Sequence, residues 1–177
     1  MKIISGSLKG RTIEGYNIEG TRPTMDRVKE SLFGMIQGYL KDSVSLDLFA
    51  GSGALGIEAL SEYGMKCYFV DASIEAIKVL KKNTASIENV YIYHSDFREA
   101  LLNFSKQKIK FNIIFLDPPY KMHLISEALH LIIKYDLLAS DGIVICEAED
   151  EVIKTNLLNI KSKKYGDTNI NIYKKEK

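Results

Sequence analysis

Apolar positions in this chain follow two alternating patterns. Short continuous runs at residues 44–49, 66–70, 90–93, 112–116 and 143–146 read as buried strands. Between them the spacing becomes helical. Leu55, Ala59, Leu60 and Tyr63 share one face, as do Ile74, Ile77 and Leu80, while another helix starts around Phe97. Ile125, Ala128, Leu129, Ile132 and Ile133 follow the helical period closely. Strands alternating with helices in this rhythm specify a parallel sheet covered on both faces. The tail departs from the rhythm. Residues 161–165, a Gly166-Asp167 turn and residues 168–173 predict an antiparallel hairpin that closes the sheet. At the front, Ile3-Ile4 and Arg11-Thr12-Ile13 flank a basic loop and suggest a small β-hairpin. A helix follows, with Val28, Leu32, Met35, Ile36 and Tyr39 on its apolar face and Thr24 as N-cap. The expectation is one α/β domain over 1–177, with a hairpin-and-helix extension at 1–41. The core at 42–177 holds a mostly parallel, seven-stranded sheet.

A chain of 177 residues fills one core and is too short for two ordinary domains. No apolar run approaches the length of a membrane span, and residues 1–6 lack a signal-peptide apolar region. The cytoplasm, with no membrane partner, is the expected setting. Cys67 and Cys146 fall in predicted buried strands and read as core thiols. His94, His123 and His130 show no metal-ligand spacing. Net charge is +1, but residues 1–41, 42–153 and 154–177 carry +3, −7 and +5. Basic ends around an acidic centre fit a polyanion that meets the flanks, and solvated surface lysines fit as well.

Two motifs carry chemistry. Asp117-Pro118-Pro119-Tyr120 follows the 112–116 strand, and its prolines stiffen the backbone so that an acid and a ring stand together at the strand's carboxyl end. In an open α/β sheet ligands bind there. The second motif, Gly51-x-Gly53-x-x-Gly56, lies between a strand and a helix, with Asp71 at about the 20-residue spacing of an acid that accepts ribose hydroxyls. A dinucleotide and S-adenosylmethionine both fit that fingerprint. Asp47, placed to fix the loop or to reach a cationic ligand, the closing hairpin and the acid–proline loop favour the latter.

Leu46-Asp47-Leu48-Phe49-Ala50-Gly51-Ser52-Gly53 resembles the glycine loop of class I methyltransferases. Asp117-Pro118-Pro119-Tyr120 is similar to the signature of enzymes that methylate exocyclic amino nitrogens of bases. Thr21-Arg22-Pro23-Thr24-x-Asp26-Arg27-Val28-Lys29-Glu30-x-Leu32-Phe33, with Ile3-Ile4-Ser5-Gly6-x-x-Lys9-Gly10-Arg11, resembles the RsmD family of 16S ribosomal RNA guanine-N2 methyltransferases. The resemblance implies a Rossmann-like fold, S-adenosylmethionine as methyl donor, no metal, and a monomer acting on 16S ribosomal RNA or a small-subunit assembly particle. It also implies residue roles. The Asp117 carboxylate and Pro118 carbonyl would accept the amine's hydrogens, Pro119 would hold the loop stiff, and Tyr120 would stack on the base. Asp47, Phe49, Ala50, Gly51, Gly53 and Asp71 would form the cofactor cradle. Asp96 and Phe97 would edge the adenine, with Asp96 also a natural helix N-cap, and Arg22 and Thr24 would close the amino-acid end. Asp71 stands where relatives commonly carry Glu, and Gly34 where Asn is common. The basic amino-terminal hairpin and carboxyl-terminal tail are the expected RNA surfaces. The competing readings are an NAD-type oxidoreductase, a nucleic-acid-binding module without chemistry, and a DNA amino-methyltransferase. The last lacks an obvious target-recognition domain.

Overall fold

The computed structural model describes residues 1–16 and 25–176, apart from the side chains of Met25 and Tyr120. The described helices are α1 (Met25–Met35), α2 (Gln37–Leu40), α3 (Ala54–Ser61), α4 (Ile74–Thr84), α5 (Phe97–Lys106) and α6 (Ile125–Lys134). The strands are β1 (Val44–Asp47), β2 (Lys66–Asp71), β3 (Val90–His94), β4 (Phe111–Leu116), β5 (Leu138–Ala148), β6 (Leu158–Tyr165) and β7 (Thr168–Lys174). They form one sheet in the order β3-β2-β1-β4-β5-β7-β6. The first five pair in parallel, and β7 runs antiparallel to both β5 and β6. The chain reverses its winding direction between β1 and β4, which opens a crevice at their carboxyl ends.

Side-chain alternation divides the core. Leu46, Ile114, Val144 and Cys146 pack beneath α5 and α6 on one face, while Ile113, Phe115, Ile145 and Ile172 meet α1 and α2 on the other. A third cluster joins Ile57, Phe69, Ile77 and Leu80 to Ile3 and Ile13 of the amino-terminal segment. Both cysteines are free and buried, as expected of core thiols.

Several boundaries differ from the sequence reading. Strand β1 stops at Asp47, because Leu48 and Phe49 already turn toward the glycine loop. Strand β5 begins at Leu138, well before residue 143. Tyr63, read as inward, is 62 % exposed. Helix α3 ends at Ser61, and Tyr63 takes a left-handed φ of 68° beyond it. Ile74 and Ile133, also read as inward, flank their helices and stay exposed. The amino-terminal hairpin reduces to a single antiparallel bridge, Lys2 with Thr12.

That segment is held by a buried charge pair the hydrophobic pattern could not show. Glu58 is 0 % and Lys29 4 % exposed, with 3.3 Å between Oε1 and Nζ. Glu58 also accepts from the Ile4 N–H at 2.9 Å, and Lys29 donates to the Lys2 carbonyl at 2.9 Å. One pair thus ties α1 and α3 to the chain's first residues. Gly6 completes the docking: a Cβ there would lie 1.9 Å from the Ser61 carbonyl oxygen.

Candidate active site

Because β1 and β4 are parallel neighbours, the glycine loop and the acid–proline loop leave the sheet side by side. Asp47 lies opposite Phe115, and the Leu48 N–H still donates to the Phe115 carbonyl at 3.2 Å. The strand order, with β1 beside β4, creates this adjacency.

The three glycines of the fingerprint divide their work. A Cβ on Gly56 would meet the Phe69 ring at 2.3 Å and Cys67 Sγ at 2.7 Å, so this glycine lets α3 close onto β2. Gly53, at φ +87°, would press Leu80 at 2.4 Å, and its N–H bonds the Ala50 carbonyl at 2.8 Å. Gly51 is different. Its φ is +54°, and a Cβ there would meet nothing nearer than Tyr16 Cδ1 at 4.0 Å. Here the backbone is bare toward open space, as close approach of a ligand requires.

Asp71 braces this turn. One oxygen accepts from the Gly51 N–H at 2.8 Å and the other from the Ser73 N–H at 2.9 Å. Each oxygen keeps a further lone pair for a hydroxyl. Asp47 is buried within β1 and accepts from the Gly56 N–H at 3.1 Å. Burial, reinforced by the nearby Asp71 charge, pushes its carboxyl up to about 7, although the Gly56 bond pulls the other way. Asp117 is raised well above the usual carboxylate range, first by burial, then by Glu147 and Asp47. Pro118 is buried and Pro119 exposed, with the Pro119 carbonyl accepting from Met122 N–H at 3.1 Å. The Tyr120 side chain lies outside the described residues, as do Arg22 and Thr24.

Asp96 caps α5, accepting from the Arg98 N–H at 2.8 Å and from its guanidinium at 3.1 Å. Phe97 is only 4 % exposed, 5.2 Å between ring centres from Phe49 and with Arg98 Cζ 4.4 Å from its own. Phe49 is the more open ring of the pair, and Ala50 beside it is buried. Tyr16 was missed in the sequence. Its hydroxyl shares a hydrogen bond with Ser73 at 2.8 Å while its ring faces Gly51. No local pattern marks a tyrosine at the end of a hairpin arm as part of a site. Glu147, near the end of β5, contributes to the charge that bears on Asp117.

The residues fit a cationic nucleoside. Buried Asp47 and half-buried Asp117 stand on adjacent strand ends in surroundings that disfavour negative charge, so a cation beside them would be favoured, and Gly51 leaves room at the edge. Among the described residues no group of His, Cys, Asp and Glu is arranged to hold a metal ion, and no helix is long and apolar enough to cross a membrane.

This strand order, with both loops at the point where the winding reverses, is the Rossmann-like fold of class I methyltransferases. The chain belongs to the family described as Conserved hypothetical protein 95, whose model matches residues 1–174. It is 42 % identical, over 99 % of both chains, to a Bacillus subtilis protein named putative rRNA methyltransferase YlbH. Identity is 34 % to the Haemophilus influenzae protein named ribosomal RNA small subunit methyltransferase D, covering 98 % of this chain and 93 % of that one. The solved structure of putative methyltransferase yhhF from Escherichia coli superposes with a TM-score of 0.85 at 32 % identity, over 99 % of this chain and 98 % of that one.

Proposed function

We propose that this protein methylates small-subunit ribosomal RNA on the exocyclic N2 amine of a guanine, using S-adenosylmethionine. The single observation that carries the choice of cofactor is the pair of acids at adjacent strand ends of the crevice, buried Asp47 and half-buried Asp117. Surroundings that already resist negative charge would disfavour the pyrophosphate of a dinucleotide, whereas a sulfonium or an ammonium would favour the ionised acids. The names of the relatives support ribosomal RNA as the substrate class. The acid–proline loop supports an amino group as the acceptor.

S-adenosylmethionine supplies the methyl group on a positively charged sulfur. The chain supplies placement. Asp71 holds the Gly51 turn and has lone pairs left for ribose hydroxyls. Phe49 and Asp96 stand at the adenine end, and Arg22 and Thr24 are proposed at the amino-acid end. An exocyclic amine is a poor nucleophile, because its lone pair is delocalised into the ring. The Asp117 carboxylate and Pro118 carbonyl, two acceptors, turn its hydrogens aside and free that lone pair. A hydrogen bond to a charged carboxylate is worth roughly 1.5–3 kcal/mol and strengthens as the nitrogen gains charge. Orientation contributes more, up to about 7–11 kcal/mol in favourable cases. Tyr120 stacks on the extruded base, for about 1–3 kcal/mol.

The test is tritiated-methyl transfer to 30S particles, free 16S RNA and DNA, compared side by side and followed by nucleoside analysis. Label in N2-methylguanosine of the RNA supports the reading. Label confined to DNA or to adenine overturns the substrate, and protection by NAD(H) in place of S-adenosylmethionine overturns the cofactor.

A further inference from the structure

The chain's basic residues concentrate at its two ends, and the fold sends those ends to opposite edges of the sheet's depth. In a strand–helix–strand unit the helix starts above the carboxyl end of one strand and finishes near the amino end of the next. Ser61 closes α3, and Ser86 lies just past the end of α4. Ser7 N–H bonds the Ser61 carbonyl at 2.8 Å, and Arg11 donates to Ser86 Oγ at 2.8 Å. The amino-terminal basic loop therefore sits at the amino ends of the strands. Asp117 stands at the carboxyl ends.

The carboxyl-terminal hairpin has the other placement. Leu116 lies opposite Cys146, Cys146 opposite Asn171, and Asn171 opposite Ser162. One residue further along, the row reads Asp117, Glu147, Ile170, Lys163. Alternation puts that row on a single face, the one that carries Phe115, Ile145 and Ile172 beneath α1. Three interstrand spacings of about 4.8 Å separate the backbones of Asp117 and Lys163, on the order of 14 Å. Lys163 also reaches Ser31 of α1 at 3.3 Å, so the row is walled by that helix.

Strand β6 is exposed along nearly its whole length at the sheet's edge, and it carries Lys161, Lys163 and Lys164 with no acid. Lysines on an edge strand discourage pairing with other strands. That accounts for charge, but not for what lies beside it. On the other face of the hairpin, toward α6, a cavity of about 390 Å³ is lined by Ser162, Lys164, Asn169, Asn171 and Glu151 among others, so the lysines of β6 border polar surface on both sides. The Glu151 carboxylate is engaged with the N–H groups of Ile125 and Ser126 at 3.1 and 3.0 Å. Ser162 donates to Asn171 at 2.7 Å and the Asn169 amide donates to the Glu149 carbonyl at 3.2 Å, so a fixed polar lining flanks the edge lysines, which suits a sugar–phosphate chain.

We infer that strand β6, through Lys161, Lys163 and Lys164, is the surface that carries the phosphates of the RNA substrate as its target base reaches Asp117, and that the amino-terminal hairpin is not. This rests on the ribosomal RNA reading given above. The experiment compares the triple variant K161Q/K163Q/K164Q with K2Q/K9Q, using an unmethylated 16S ribosomal RNA transcript and filter binding at several salt concentrations. For the triple variant the expected result is at least about tenfold weaker RNA binding at low salt. The slope of log K against log salt should flatten by about two, since a single-strand phosphate contact contributes roughly 0.7. KM for RNA rises while kcat, S-adenosylmethionine affinity and Tm stay at wild-type values. K2Q/K9Q should bind RNA as the wild type does. Wild-type affinity and slope in the triple variant, with wild-type methylation intact, overturn the surface and leave the function standing. A wild-type protein that neither binds nor methylates the transcript or 30S particles overturns both.

Discussion

The two loops at the crevice are neighbours built on different principles. The glycine loop is tied internally at almost every step: Gly51 N–H to Asp71, Gly53 N–H to Ala50, Gly56 N–H to Asp47, and Ile57 N–H to Gly53. Its shape is a property of the fold, and Gly51 alone turns bare backbone outward. The acid–proline loop is stiffened by covalent rings, and its carboxylate is held under electrostatic stress by burial, Glu147 and Asp47. One loop is arranged to hold a ligand and the other to act on one. Changes in the first should therefore appear in stability and cofactor affinity, and changes in the second in turnover.

The largest expected effect breaks the pair at its reactive side. Asp117→Ala should lower kcat on the order of 10²–10³-fold, by analogy with loss of a single preorganised hydrogen-bonding group. RNA affinity should stay within about twofold, and S-adenosylmethionine affinity should fall by much less than kcat. Single-turnover methyl transfer with separate binding measurements checks this. An equal loss of RNA affinity would place Asp117 in binding and remove the contrast.

Next come two glycines of the same turn. Gly56→Ala drives a methyl into the Phe69 ring and Cys67 and should destabilise by about 1–3 kcal/mol, read as a lower denaturation midpoint. Gly51→Ala meets open space and bears only the left-handed backbone cost, about 1–2 kcal/mol at most. Its main effect should be on S-adenosylmethionine affinity, measured by calorimetry.

Much of this arrangement was legible in the sequence, because it is written in local patterns. Runs of apolar residues marked the strands, and Gly51, Gly53, Asp71 and Asp117 announced themselves by spacing. The illegible parts are tertiary. The Glu58–Lys29 pair joins residues 29 apart in the chain, and Glu58 sits at a helix position that reads as a solvent-facing acid. Tyr63 fits the helical period and is exposed, because the helix ends first. Phe97 is aromatic and well placed by number, yet it packs against Phe49 and under Arg98. Tyr16 reaches the glycine turn only because the amino-terminal arm runs along α4. Periodicity reports what a residue's own element needs, not what a distant element brings to it.

Asp47 links the two loops, and its titration tests that link. Its carboxyl is raised from an ordinary 3.8 to about 7, so the folded state binds a proton that the unfolded chain has released between those values. Stability is then full below about 3.8 and declines as pH rises through about 7, by at most about 1.4 kcal/mol per pH unit. Asp47→Asn keeps an acceptor for the Gly56 N–H and removes the proton. Its Tm should change less between pH 5 and pH 8 than that of the wild type. Identical pH profiles for the two proteins would mean that Asp47 is not the group strained by this environment.

The smallest effect sharpens the comparison most, because it leaves both loops in place. If Asp117 must be ionised to accept the amine's hydrogens, its raised pKa makes kcat/KM climb with pH until the carboxyl has lost its proton. Glu147 is the larger of the two neighbouring charges that oppose this loss, and it stands beside Asp117 in the cross-strand row. Glu147→Gln removes the repulsion without removing volume, so the midpoint of the profile should move to lower pH. The plateau rate should stay near the wild-type value. A profile for E147Q that rises at higher pH than the wild type's would reverse the assigned sign. An unmoved midpoint with a lowered plateau would make Glu147 a contact for the substrate and not a source of strain on Asp117.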